Sequence, residues 1–163
     1  MGKTMSLTLA FLLFLFLAPK STRAIQAGVA APEFSLSGIN GKVFSGIGLR
    51  GNVVVLNFWA VWCPPCVSEI KLLNGLYKKY GTRGLKVFGI TKDSAKDVKS
   101  FEATHPIDYP VLIDSRSTVH ILYGVMPIPV TFLIDSNGII VKKYTGPPDP
   151  ASIDRAIKDI LME

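Results

Sequence analysis

The chain has 163 residues, 48% of them hydrophobic and 18% charged, which suits one globular domain with a proper core and excludes a disordered chain. Its formal charge of +6 overstates the domain: Lys3, Lys20 and Arg23 precede every acidic residue, leaving 15 basic against 12 acidic residues, +3, from position 24 onward. A surplus that small, with no basic patch interleaved with aromatics, argues against nucleic acid as a partner.

In chain order, residues 1–24 come first. One early lysine is followed by an apolar run from Leu7 to Ala18, 12 residues against the roughly 20 that span a bilayer. This reads as a signal peptide cut near Ala24, with Ala27 as the second choice, or as an uncleaved N-terminal membrane anchor. Either places the domain, 28–163, outside the cytoplasm.

"EFSLSGINGKVFS" predicts two short strands joined at Asn40-Gly41. "NVVVLNFWA" is a continuous apolar run, as in a strand covered on both faces. Helical spacing runs from Pro64 to about Tyr80, and "GLKVFGIT" is the next buried strand. Ser94 or Asp93 caps a helix to about Thr104, with Pro106 beyond it. A third strand, "YPVLID", and a short helix, 117–123, follow. "PVTFLID" and "GIIVKKYT" form a hairpin about Ser136-Asn137-Gly138, and 150–161 is a closing helix with Ile153, Ala156, Ile157, Ile160 and Leu161 on one face. The product is an α/β domain: one mixed sheet with helices on both faces.

The only two cysteines, Cys63 and Cys66, sit where a buried strand gives way to a helix. A structural zinc site needs four ligands, and His105 and His120 lack ligand spacing. A structural disulfide gains most from closing a long loop, and this one closes almost none. A C-x-x-C pair in an oxidising compartment is better suited to cycling between dithiol and disulfide. With Cys63 as N-cap, helix amides favour its thiolate, and Cys66, one turn on, is within disulfide reach.

Pro64 and Pro65 lack N–H groups, so the Cys66 amide is the one capping donor left to the Cys63 sulfur among the second and third helical residues. A modest stabilisation of the thiolate predicts a reducing pair, nearer thioredoxin's potential of about −270 mV than DsbA's of about −120 mV. On a helical wheel Glu69 falls within the apolar stripe of Ile70, Leu73, Leu76 and Tyr77, while Lys71, Asn74, Lys78 and Lys79 lie opposite. A carboxylate there, one turn past Cys66, can pass protons to and from the thiols; the plainer alternative is a first-turn acid complementing the helix dipole.

"FWAVWCPPC" resembles the active-site stretch of the thioredoxin superfamily. Together with "APEFSLSGINGK" and "YGVMPIPVTFLIDSNGIIV" it resembles the extracytoplasmic TlpA/ResA-like branch, which includes cytochrome c maturation reductases. The resemblance covers about Ala31 to the C-terminus. It implies a thioredoxin fold with an N-terminal β-hairpin and a central α-β insertion. It also implies an exposed nucleophile at Cys63, a resolving thiol at Cys66 and an acid at Glu69. Trp62 would flank the site and shape the surface met by a partner, with Pro64 and Pro65 beside it. Pro129 matches the family's cis-proline, and Ile128 and Pro129 would offer backbone hydrogen bonds to an extended partner segment. Asn57 stands where cytoplasmic thioredoxins carry a buried Asp, leaving that proton-relay role to Glu69.

The implied activity is a protein disulfide oxidoreductase, bacterial, periplasmic or membrane-anchored, acting as a monomer with no cofactor beyond the Cys63–Cys66 pair. Its partners would be a disulfide-bearing protein, with apocytochrome c as a candidate, and an upstream membrane thiol donor. Two other readings stay open. "APEFSL" also resembles peroxiredoxins, though no T-x-x-C cysteine is present. Copper-delivery modules of this fold use a longer cysteine spacing and a histidine that Met126 to Val130 lacks.

Overall fold

A computed structural model describes residues 25–162. The leader expected at 1–24 lies outside them, and no helix among the described residues is long and apolar enough to cross a membrane. Strands β1 (Ser35–Gly38) and β2 (Val43–Ser45) form the first hairpin. It turns at Gly41, whose φ of 80° favours glycine. Then come β3 (Val53–Trp59), α1 (Pro64–Tyr80), β4 (Leu85–Thr91), α2 (Ala95–Glu102), β5 (Val111–Ile113) and α3 (Thr118–Leu122). The chain closes with β6 (Val130–Ile134), β7 (Ile140–Thr145) and α4 (Pro150–Met162).

The strands form one mixed sheet in the order β2-β1-β5-β4-β3-β6-β7. β3, β4 and β5 are parallel neighbours, as helix crossovers require, and the hairpin partners are antiparallel. All seven residues of β3 are buried, which explains its unbroken apolar run. Successive β3 side chains serve opposite faces. Val53 and Val55 meet Leu73 and Leu76 of α1 and Ile153 and Ile157 of α4. Val54, Leu56 and Phe58 meet Val119 of α3 and Tyr123 just beyond it. Burying each large aliphatic side chain contributes about 1.5–3 kcal/mol, and the α1 stripe alone buries Ile70, Leu73 and Leu76.

Two boundaries differ from the sequence reading. α2 stops at Glu102 rather than near Thr104, where the Thr104 amide bonds three residues back to the Phe101 carbonyl at 3.1 Å, a tighter 3-10-type turn. β5 holds three residues rather than the whole of "YPVLID". Asp114 leaves the strand to serve α3: its Oδ2 accepts from the Val119 and His120 amides and from His120 Nδ1, at 3.0, 2.9 and 2.7 Å. Burial drives the His120 imidazole pKa down against the pull of Asp114, so the ring is a neutral, packed hydrogen-bond donor at neutral pH.

Candidate active site

β3 ends at Trp59, and four residues later the chain enters α1. The intervening turn is held from two sides. Cys63 N–H donates to the Ala60 carbonyl at 3.2 Å. The Val61 amide donates to Asp93 Oδ2 at 2.8 Å, and that oxygen also accepts from Thr91 Oγ1 at 2.8 Å. Asp93 had been one of two cap candidates for α2. Ser94 takes that role, accepting from the Asp97 amide at 3.2 Å, and Asp93 instead fixes the approach to the cysteines.

Cys63 is the N-cap of α1, with extended backbone (φ −100°, ψ 100°), and Pro64 and Pro65 occupy the first two helical positions. Its sulfur accepts from the Cys66 amide at 3.4 Å, the donor left to it by the two prolines. The two cysteines are joined as a disulfide with Cα atoms 5.3 Å apart. The resemblance implied an exposed Cys63. In the oxidised protein it is 4% exposed against 0% for Cys66, so the order is as expected but both are covered. The cause is the capping geometry, which turns the sulfur into the helix mouth. The surrounding rim is open: Trp62 is 71% exposed, and Pro64, Pro65, Met126 and Pro127 are exposed with it.

The Ile128–Pro129 peptide is cis. Ile128 packs on the cluster that contains Cys63 and Cys66, which brings this loop against the disulfide. Pro129 has no N–H, and its carbonyl already accepts from the Gly146 amide at 2.9 Å at the start of the β6–β7 pairing. Ile128, whose backbone groups make no backbone hydrogen bond among the described residues, is the better-placed donor and acceptor of the two.

Glu69 lies on the buried stripe of α1 and is only 2% exposed. Asn57 Nδ2 donates to its Oε1 and also to Thr131 Oγ1, the latter at 3.1 Å. Asn57 and Thr131 are register partners across β3 and β6, so the sheet supplies the clamp. Burial raises the Glu69 pKa from 4.5 to about 7, with the Asn57 hydrogen bond pulling the other way. A group poised there exchanges protons readily at neutral pH. Asn57 is the residue sequence reasoning undervalued, having been read as the place of a missing Asp. The signal was available: a polar residue in the middle of an otherwise apolar, doubly covered strand needs a buried partner.

The site is thus a disulfide at a helix mouth, a titratable acid one turn below it and an apolar rim above. Residues 27–143 match the AhpC/TSA family model. The thiol-disulfide oxidoreductase ResA of Geobacillus thermodenitrificans is 36% identical over 138 residues, covering 84% of this chain and 79% of the relative. ResA of Bacillus subtilis is 36% identical over 124 residues, covering 76% and 69%. A crystal structure from Chlorobium tepidum, described as a thiol:disulfide interchange protein DsbE, superposes with a TM-score of 0.79 at 34% identity, covering 84% of this chain and 99% of that one. With the cysteine pair standing at the same fold's helix mouth, the chain belongs to the AhpC/TSA family of the thioredoxin superfamily and is a ResA-like thiol–disulfide oxidoreductase.

Proposed function

We propose that the protein works outside the cytoplasm as a reductase of protein disulfides, with Cys63 as nucleophile, Cys66 as resolving thiol and Glu69 as their proton-handling group. The observation that carries the reading is the buried Glu69, one turn from Cys66 and titrating near neutrality, in a site whose sulfurs are otherwise enclosed by apolar side chains. In the forward direction the Cys63 thiolate attacks one sulfur of the partner disulfide. That sulfur becomes bonded to Cys63, and the partner's other sulfur leaves as thiolate and takes a proton. Cys66 gives its proton to the Glu69 carboxylate and attacks Cys63, releasing the second partner thiolate. Two electrons pass to the partner and the Cys63–Cys66 bond forms.

The apolar rim of exposed Trp62, Pro64 and Pro65, with half-buried Ile128 and buried Pro129 on the loop that packs against the disulfide, suits an extended peptide segment of a partially folded protein. Apocytochrome c, whose haem-binding cysteines must be reduced before attachment, is the substrate class we favour, with an upstream membrane thiol donor regenerating the dithiol. In this reading the protein acts as a monomer, with no metal and no nucleic acid. Its test is trapping: Cys66→Ser should accumulate a mixed disulfide through Cys63 with a secreted, cysteine-bearing protein, and Cys63→Ser should not. Recovery of no adduct from cells, or peroxide consumption as fast as disulfide exchange by the purified protein, would overturn it.

A further inference from the structure

The outward side of α3 and the loop after it carry no polar side chain from Ile121 to Pro127 among the exposed positions. Val119, His120 and Tyr123 turn inward, which leaves Ile121, 76% exposed, and Leu122 toward solvent. A surface helix ordinarily places polar residues there. The helix then ends in a Schellman turn. The Gly124 amide donates to the Ile121 carbonyl at 3.0 Å, and the Val125 amide to the His120 carbonyl at 2.8 Å. Gly124 takes the left-handed conformation this turn needs, with φ 60°. The turn buries Val125 in the same cluster as Val119 and delivers Met126 outward, 91% exposed.

Two residues beyond Met126 the chain reaches Ile128, which packs on the cluster that holds the disulfide. Two residues span no more than about 7 Å of chain. No residue from Ser117 to Ile134 is Asp, Glu, Lys or Arg. Isolated apolar residues on a surface need no explanation, but Ile121 and Met126 flank one turn and adjoin the redox site. Folding does not account for them, since neither is covered.

We infer that Met126 and Ile121 form a recognition lip for a large apolar side chain of the protein substrate, two residues from the substrate's reacting cysteine. The chemistry of the site names the occupant. A partner sulfur has to reach the mouth where Cys63 and Cys66 are joined, and Ile128 forms one side of that mouth. In an extended segment, the side chain two residues from the cysteine stands about 7 Å away on the same side, the reach from Ile128 to Met126. A charged side chain would lose water there with no counter-charge to meet, whereas an apolar one gains from losing it. Methionine is unbranched and adaptable, so the lip selects apolar bulk rather than one shape. The inference rests on the exchange role of Cys63 and Cys66 and deepens it by naming a substrate class: disulfides flanked by large apolar residues.

The test uses the full chain and synthetic peptides that each hold one intrapeptide disulfide. They differ only in carrying leucine or serine two residues before the first cysteine or two residues after the second. For the wild type, leucine should raise kcat/KM about tenfold at one of the two positions, the effect of partly burying one aliphatic side chain. Met126→Ser should cut that preference to about twofold, with the loss falling on the leucine peptide. Met126→Leu should keep it, and Ile121→Ser should fall between. Both side chains are solvated, so these variants should fold as the wild type does. Equal rates for leucine and serine at both positions overturn the lip, and so does a preference that survives Met126→Ser. A wild-type dimer that Met126→Ser dissolves, read by sedimentation, would give this face to a second copy instead. Binding to phosphatidylcholine vesicles that the same variant loses would give it to a lipid surface, and either result overturns the inference. Peptide disulfides that are not reduced at all contradict the reductase reading alone. The same leucine-to-serine ratios are then taken from oxidation of the dithiol peptides by the disulfide form, where the lip predicts the same preference.

Discussion

Glu69→Gln isolates the energetic consequence of burying an acid beneath the redox pair. Glutamine keeps the shape of the side chain and an oxygen for Asn57 Nδ2, but it cannot ionise. The wild-type carboxyl is displaced from 4.5 to about 7 by burial. Between those values the folded protein holds a proton that the unfolded chain has released. The stability linked to Glu69 is therefore complete below about pH 4.5 and is lost as pH rises through about 7. The displacement corresponds to about 3 kcal/mol at 1.36 kcal/mol per unit. Since the side chain is 2% exposed, solvent screening takes little from that figure.

The glutamine variant lacks this loss, so its stability relative to wild type should grow by about 3 kcal/mol between pH 4 and pH 8. Urea unfolding of both oxidised proteins across that range measures it. With slopes of about 1–3 kcal/mol/M, the gap between midpoints should widen by roughly 1–3 M. Glu102, whose pKa burial also raises, is common to both proteins and cancels in the difference. Difference curves that stay parallel to the pH axis would refute burial as the source of the Glu69 displacement.

Asn57→Ala removes the one group that lowers the Glu69 pKa, so the midpoint should climb above 7 by carboxyl NMR, with a stability cost of about 1–3 kcal/mol from the lost clamp. Trp62→Ala should leave urea unfolding within about 0.5 kcal/mol of wild type, because the ring is largely solvated. It should lower kcat/KM for a protein disulfide while leaving reduction by dithiothreitol unchanged; equal losses for both would remove Trp62 from partner recognition. Asp114→Ala takes away the acceptor of three hydrogen bonds at the start of α3 and should cost about 2–4 kcal/mol by urea unfolding, with the reduction potential of the cysteine pair unmoved.

The elements were legible where one physical signal dominated. The unbroken apolar run of β3, the Pro-Pro start of α1 and the Asn-Gly turn between β1 and β2 each determine local structure from adjacent residues. Glu69 was legible as a buried acid because helical spacing alone carries it onto the apolar stripe. What was not legible depends on pairs distant in sequence. Asp114 looks like the end of a strand until the α3 amides are brought to it, and Asp93 looks like a helix cap until Val61 is. The bond from the Gly146 amide to the Pro129 carbonyl likewise exists only once β6 and β7 are paired. The exposure of Cys63 belongs to the same class, since the direction of a capping sulfur is set by the helix it caps and by the loop packed over it.

The location of the acid follows from these constraints. A carboxylate at position 57 would sit mid-strand, with β4 and β6 bonded on either side and no freedom to move. Placed at 69 it hangs from α1, which carries Cys66 and is capped by Cys63, so its distance from Cys66 is governed by one helical turn rather than by the docking of helix on sheet. Asn57 then has the opposite task. Its amide is fixed by the sheet and by Thr131 and donates to Glu69, which favours the carboxylate and limits how far burial can raise the pKa. Splitting acid and clamp between helix and strand keeps Glu69 titrating near neutrality while the sulfur chemistry above it proceeds. A charge-free clamp achieves this only if it stays a donor. Asn57→Asp would put a second carboxylate against the first, and like charges in a buried pair force one of them to hold its proton well above neutrality.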